Sequence, residues 1–134
     1  MPGETAVQQT SDGIGSSLTV KHTVYEKDTV GYLVPGMPMV AATPYLVTIA
    51  EMACYEVCKK LIEPGQVTVG TRVEIDHLGA SKVGATLVVA AILRARERNR
   101  FTFDVTVTDG DRTVGKIVHG RAAVSAQKMM AALG

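Results

Sequence analysis

Five runs of alternating apolar and polar residues, one stretch with helical spacing and one segment broken by Gly and Pro divide this chain of 134 residues. From Ser17 to Val24 the row SLTVKHTV sets Leu18, Val20 and His22 against Thr19, Lys21 and Thr23, the two-residue period of a strand. Residues 27–40, KDTVGYLVPGMPMV, carry Gly31, Pro35, Gly36 and Pro38, which interrupt the backbone too often for a long regular element, so a covering loop is predicted. At Thr43-Pro44 the pattern changes. Thr is a favoured N-cap, Pro is tolerated in the first helical turn, and YLVTIAEMACYEVCKKLI then runs without Gly or Pro to Pro64-Gly65. Leu46, Ala50, Ala53, Val57 and Leu61 form one stripe of this helix and Val47, Cys54 and Cys58 a second, which predicts burial on more than one side.

Four strands are predicted after Pro64-Gly65. In QVTVGTRVEIDH, Val67, Val69, Val73, Ile75 and His77 share one parity, opposite Gln66, Thr68, Gly70, Arg72, Glu74 and Asp76, which places His77 on the core face. The runs ATLVVAAILRARE, RFTFDVTVTD and RTVGKIVHGRAAVSA follow, with turn signals at Arg98-Asn99 and Asp109-Gly110. Short connections predict a four-stranded antiparallel meander, and residues 126–134 could add a terminal helix. One strand, a long apolar helix and a meander pack most economically with the curved sheet wrapped around the helix. The expected fold class is therefore α+β, a single hotdog domain of about five strands over residues 17–134, preceded by a polar, aperiodic N-terminal arm over residues 1–16. A single sheet leaves one face of such a helix uncovered, so a homodimer or higher homo-oligomer is expected.

Composition narrows the function classes. With 46% hydrophobic and 20% charged residues the chain is a globular domain rather than a disordered one, and 19 Val and 14 Thr beside two Phe and no Trp make its core aliphatic and strand-rich. A net charge of +1 provides no global field for nucleic acid or an anionic membrane. Cys54 and Cys58 are neither a secreted disulfide framework nor a zinc spacing, and they are expected as free thiols in the core. With no leader-like start and no long apolar span, a cytoplasmic location is expected.

Glu51 is the most informative residue, because it is the only charged side chain between Met37 and Tyr55. A carboxylate among apolar neighbours costs several kcal/mol unless it is paired or hydrogen-bonded, roughly the desolvation penalty of one ion. His77 is its expected partner, since the pair would supply a carboxylate and a group whose charge changes near neutral pH. Thr43 offers a hydroxyl at the helix start, where free N–H groups favour developing negative charge. Eight residues separate Thr43 from Glu51, about 12 Å along a helix axis. Both can serve one atom only if the chain folds back or if the site draws on two subunits. Arg94, Arg96, Arg98 and Arg100 crowd one hairpin end, with Lys82, Arg72 and Arg121 as further basic groups; a solvated hairpin end is favoured over a phosphate site. No nucleophile elbow, Walker or dinucleotide motif occurs.

The stretches ATPYLVTIAEMACYEV, LIEPGQVTVGTRVEIDHLGAS and VGKIVHGRAAV resemble the small hotdog-fold acyl-CoA thioesterases related to fluoroacetyl-CoA thioesterase. The resemblance covers about residues 39–124 and rests on Thr-x7-Glu, then Pro-Gly, then Gly-x6-His. It implies a catalytic set at Thr43, Glu51 and His77, with Gly70 and Arg121 as substrate-binding positions, and hydrolysis of a small or medium acyl-CoA without metal or redox cofactor. Glu51 would be nucleophile or general base, His77 would activate or orient water, and Thr43 would position His77 or that water. Family members selective for the fluorinated substrate carry aromatic gating residues before the helix, where this chain has LVPGMPMV. A hotdog hydratase or dehydratase would pair the helix acid with an upstream His, and residues 27–42 contain none. A non-catalytic acyl-CoA-binding module would not require the Thr43, Glu51 and His77 set.

Overall fold

The computed structural model describes residues 12–134, and its elements follow the alternation of the sequence closely. Strand β1 (Ser17–Thr23) is followed by a 3-10 turn (Glu26–Asp28) and a one-turn helix α1 (Val30–Leu33). The long helix α2 (Thr43–Lys59) comes next, then β2 (Gln66–His77), β3 (Thr86–Glu97), β4 (Arg100–Asp109), β5 (Arg112–Ser125) and a terminal helix α3 (Ala126–Ala132). The five strands form one antiparallel sheet curled around α2. Leu46, Ile49, Ala53, Cys54, Val57 and Cys58 of the helix pack on Leu87, Val89, Phe101, Phe103 and Val107 of the sheet. The α+β hotdog architecture expected from the pattern is the one observed.

Strand order departs from a four-stranded meander. The order is β1-β3-β4-β5-β2, so only β3, β4 and β5 run consecutively, while β2 closes the far edge against β5 and β1 closes the other against β3. The eight residues 78–85 are too long for a tight hairpin and instead carry the chain across the sheet. They are fixed where Leu78 N–H donates to the Val114 carbonyl at 2.7 Å and Ala41 N–H donates to the Ser81 carbonyl at 2.8 Å. The segment expected as a covering loop contains the two short helical turns, and Ala41 pairs with Thr29 as an isolated bridge.

A bulge in β2 overturns the expected alternation. Gly70 pairs with Arg121 and Arg72 with Gly120, which leaves Thr71 as an extra residue. One additional residue exchanges the two faces. Val73, Ile75 and His77 lie on the helix side, as expected, but before the bulge that side is taken by Thr68 and Gly70 rather than Val67 and Val69. Thr68 is accordingly buried, and the valines beside it are half-exposed.

Of the residues assigned to an N-terminal arm, 1–11 lie outside the described residues. Residues 12–16 run against β3, with Gly15 N–H donating to the Leu93 carbonyl at 2.9 Å and Leu93 N–H donating to the Ser16 carbonyl at 2.8 Å. Among the described residues no helix is long and apolar enough to cross a membrane.

Candidate active site

Two polar clusters stand at different heights along α2. The first lies at its N-terminus. Ala42, not Thr43, is the N-cap residue and makes no side-chain cap bond, so the Thr43 hydroxyl is free of the capping role expected of it. It sits instead 2.7 Å from His77 Nδ1 at the end of β2. The other ring nitrogen, Nε2, is buried and has no partner among the described residues. A buried ring nitrogen without a partner is costly to leave so, and it marks where a water or a substrate oxygen would bind.

The second cluster surrounds Glu51, two turns further along the helix. His77, its expected partner, belongs to the first cluster; the side chains that meet Glu51 come from β5. His119 Nε2 and Arg121 Nη1 each lie 3.6 Å from Glu51 Oε2. The strand alternation of β5 puts Ile117, His119, Arg121 and Ala123 on the helix side, so a His-x-Arg step brings an imidazole and a guanidinium to one carboxylate. Arg121 is almost fully buried, and each of its three side-chain nitrogens has a polar neighbour. Its Nε donates to Thr68 Oγ1 at 3.0 Å, its Nη2 donates to the Thr68 carbonyl at 2.7 Å, and its Nη1 lies 3.1 Å from His119 Nε2. His119 is fully buried and donates from Nδ1 to the Arg72 carbonyl at 2.9 Å.

Gly70 makes the approach possible. A methyl at this position would collide with Glu51 Oε2 and would stand 3.2 Å from His119 Cε1, so the bulge presents the carboxylate with the one residue that leaves it room. Glu51 is less buried than its apolar neighbours in sequence suggest, with 40% of its side chain exposed. It opens with Met52, Tyr55, Glu56 and Arg121 onto a cleft of about 420 Å³, and Arg121 also lies under the Tyr55 ring at 5.7 Å.

His119 is the residue that sequence reasoning passed over, although His-x-Arg on the core parity of a buried strand is visible in the row. The hairpin arginines form no common site. Arg94 pairs with Asp104 at 3.1 Å, and Arg96 stacks on Phe101 at 4.6 Å. Cys54 and Cys58 are buried free thiols, pushed up to about 12 and about 11 first of all by burial, and so are unreactive core residues.

A five-stranded antiparallel sheet curled around one long helix is the hotdog fold. The family model described as fluoroacetyl-CoA-specific thioesterase matches residues 24–127, and the chain belongs to that family of thioester hydrolases. The fluoroacetyl-CoA thioesterase of Streptantibioticus cattleyicolor is 32% identical over 124 residues, covering 88% of this chain and 89% of the relative. A point variant of the fluoroacetyl-CoA thioesterase FlK in complex with fluoroacetate superposes with a TM-score of 0.84 at 30% identity, over 90% of this chain and 95% of that one. A hot-dog-like protein from Thermanaerovibrio acidaminovorans shares the fold, with a TM-score of 0.84 at 18% identity over 92% and 91% of the two chains.

Two outcomes follow from the Glu51 cluster. Gly70→Ala should displace the Glu51 carboxylate and, where that carboxylate takes part in hydrolysis, lower thioester turnover by about 100-fold, while circular dichroism stays that of the folded chain. The second concerns pH. Burial, ahead of the Arg121 charge, holds His119 below its ordinary value of 6.5, against the opposing influence of the Arg72 carbonyl and of Glu51. The unfolded chain therefore binds a proton that the folded chain refuses. Stability from this group is fully present above pH 6.5 and is lost as pH falls below it toward the lower folded-state value. The melting temperature should decline over that window, and His119→Gln should flatten the decline.

Proposed function

We propose that the chain hydrolyses small and medium acyl-CoA thioesters to the free acid and coenzyme A, with Glu51 as nucleophile and Thr43 and His77 as its catalytic partners. The observation that carries this reading is the Glu51 carboxylate, set at an open cleft with its close contacts on Oε2 and no partner on Oε1 among the described residues. The carboxylate attacks the thioester carbonyl carbon, and the resulting oxyanion is received by backbone N–H groups. As it collapses the C–S bond breaks, coenzyme A leaves as a thiolate that takes a proton from solvent, and a mixed anhydride on Glu51 remains. Water then gives a proton to His77 Nε2 while its oxygen bonds to the acyl carbon. The bond to Glu51 breaks, the free acid leaves, and His77 Nε2 releases its proton to solvent, which restores the starting state. In this route the Thr43 hydroxyl accepts from His77 Nδ1–H, which keeps the Nε2 lone pair available. Gly70 and Arg121 are the proposed substrate-binding positions, and the route needs no metal or redox cofactor.

Within one chain the two clusters are separated by about 12 Å along the helix and by more along β2, too far to act on one carbonyl. We therefore propose that a homodimer brings Glu51 of one protomer to Thr43 and His77 of the other. Exposed apolar residues support such a contact. Met52 and Tyr55 flank Glu51, and Tyr32, Leu33, Val34, Met37 and Met39 cover the approach to α2. That approach has no Phe, and the proposed substrates accordingly extend beyond fluoroacetyl-CoA. The free thiols fit a cytoplasmic location. One hotdog domain over residues 17–134 carries all of these positions.

A thiol-release assay over a series of acyl chain lengths tests the proposal. The expected result is turnover of several small and medium acyl-CoAs, a loss of at least about 1,000-fold in kcat for folded Glu51→Gln, and a dimer in sedimentation. Undiminished turnover by Glu51→Gln would rule out its role as nucleophile, and binding of acyl-CoA without thiol release would make the chain a binding module.

A further inference from the structure

His119 belongs to neither cluster as a reacting group, yet its two ring nitrogens are committed. The Arg72 carbonyl can only accept, so the proton that meets it at 2.9 Å is on Nδ1. A neutral ring with that proton has a lone pair on Nε2. Arg121 Nη1, 3.1 Å away, can only donate, so the contact is a hydrogen bond from arginine to histidine. Glu51 Oε2, 3.6 Å from the same Nε2, is a second acceptor, and two acceptors do not bond to each other. The guanidinium nitrogen Nη1, 3.6 Å from Oε2, is the donor that both can share. Because Nε and Nη2 are committed to Thr68, Nη1 is the nitrogen of Arg121 that faces the carboxylate.

We propose that His119 is a positioning residue for hydrolysis: as a neutral imidazole protonated on Nδ1, it holds Arg121 Nη1 by its lone pair and so keeps the guanidinium near Glu51 without letting it close into a tight ion pair. The proposal rests on the reading of Glu51 as the reactive carboxylate. An arginine at 3.6 Å supplies opposite charge to a carboxylate, whereas a directly hydrogen-bonded arginine at 2.7–2.9 Å, the usual charge-assisted distance, would occupy its lone pairs and lower its nucleophilicity. Without His119 the carboxylate is the remaining acceptor for Nη1, and the pair closes. The ground state is then stabilised more than the transition state, which lowers kcat. The charged groups that face His119 are Arg121 from β5 and Glu51 from α2. Arg72 of β2 presents its carbonyl and directs its side chain to Glu74 at 2.9 Å. Burial and the Arg121 charge both favour the neutral ring.

The test combines spectroscopy of the native protein with kinetics. Nitrogen-15 spectra of its three histidines should show the His119 ring, assigned by the loss of its signals in His119→Gln, with the proton on Nδ1 and a bare Nε2 at neutral pH. His119→Leu should lower kcat by about 100-fold with KM within about threefold. His119→Gln, whose amide can donate to the Arg72 carbonyl and accept from Arg121, should recover to within about tenfold of the native rate. In an Arg121→Gln background, adding His119→Leu should cost less than about twofold more, since His119 acts through Arg121. A proton on Nε2 would overturn the proposal, as would native kcat in His119→Leu while Glu51→Gln is inactive, or fully additive effects of the His119 and Arg121 changes. If Glu51→Gln keeps native turnover, the reading of Glu51 fails and takes this inference with it, a result distinct from the other three. Should His119→Leu not fold, the tautomer and the His119→Gln rate decide on folded protein.

Discussion

Glu51 is the only charged side chain of α2 before Glu56, and the opposite charge that faces it is supplied from the sheet by one buried guanidinium. Arg121 is itself expensive to bury, and three of its nitrogens are satisfied by Thr68 and His119 before it reaches Glu51. Other features follow from this arrangement. Strand β2 must lie beside β5 so that Thr68 can meet Arg121. The Thr71 bulge must turn Thr68 and Gly70 toward the helix. Gly70 must lack a side chain, because Glu51 occupies the space a Cβ would take.

The same geometry divides the site. Strand β2 carries Gly70 beside Glu51 and His77 beside Thr43, at opposite ends of its inner face. A thioester carbonyl is a single centre, and the proposed homodimer is what would let these two ends face it together. The apolar residues left exposed around α2 are what such a contact would bury, and a small sheet around one helix has little core of its own to spare.

Much of this was legible in the row of residues, and the failures have physical causes. The helix from Thr43, the alternating strands and the hotdog packing were visible because periodicity reports burial directly. Thr43, Glu51 and His77 stood out by residue type and spacing, and the contact of Thr43 with His77 is present. Two features were hidden. The edge position of β2 depends on pairing between residues about 50 apart in the chain, and the bulge at Thr71 leaves no local mark beyond Gly70-Thr71. Without the bulge, Gly70 falls on the wrong face and Glu51 has no visible partner in β5, so His77 was assigned to it. His119 was the recoverable miss, since it alternates in step with Ile117 and Arg121 on a strand whose inner face is otherwise apolar.

The central claim is that one working site joins Glu51 of one protomer to His77 of another, and subunit exchange tests it most directly. Glu51→Gln and His77→Ala chains, each inactive alone, would be mixed, exchanged and assayed for thiol release. Statistical exchange makes half of the dimers mixed, each with one intact site of two, so the account predicts recovery of about a quarter of the native activity. Mixed dimers that form and stay inactive would place Glu51 and His77 in the same subunit's site and contradict it.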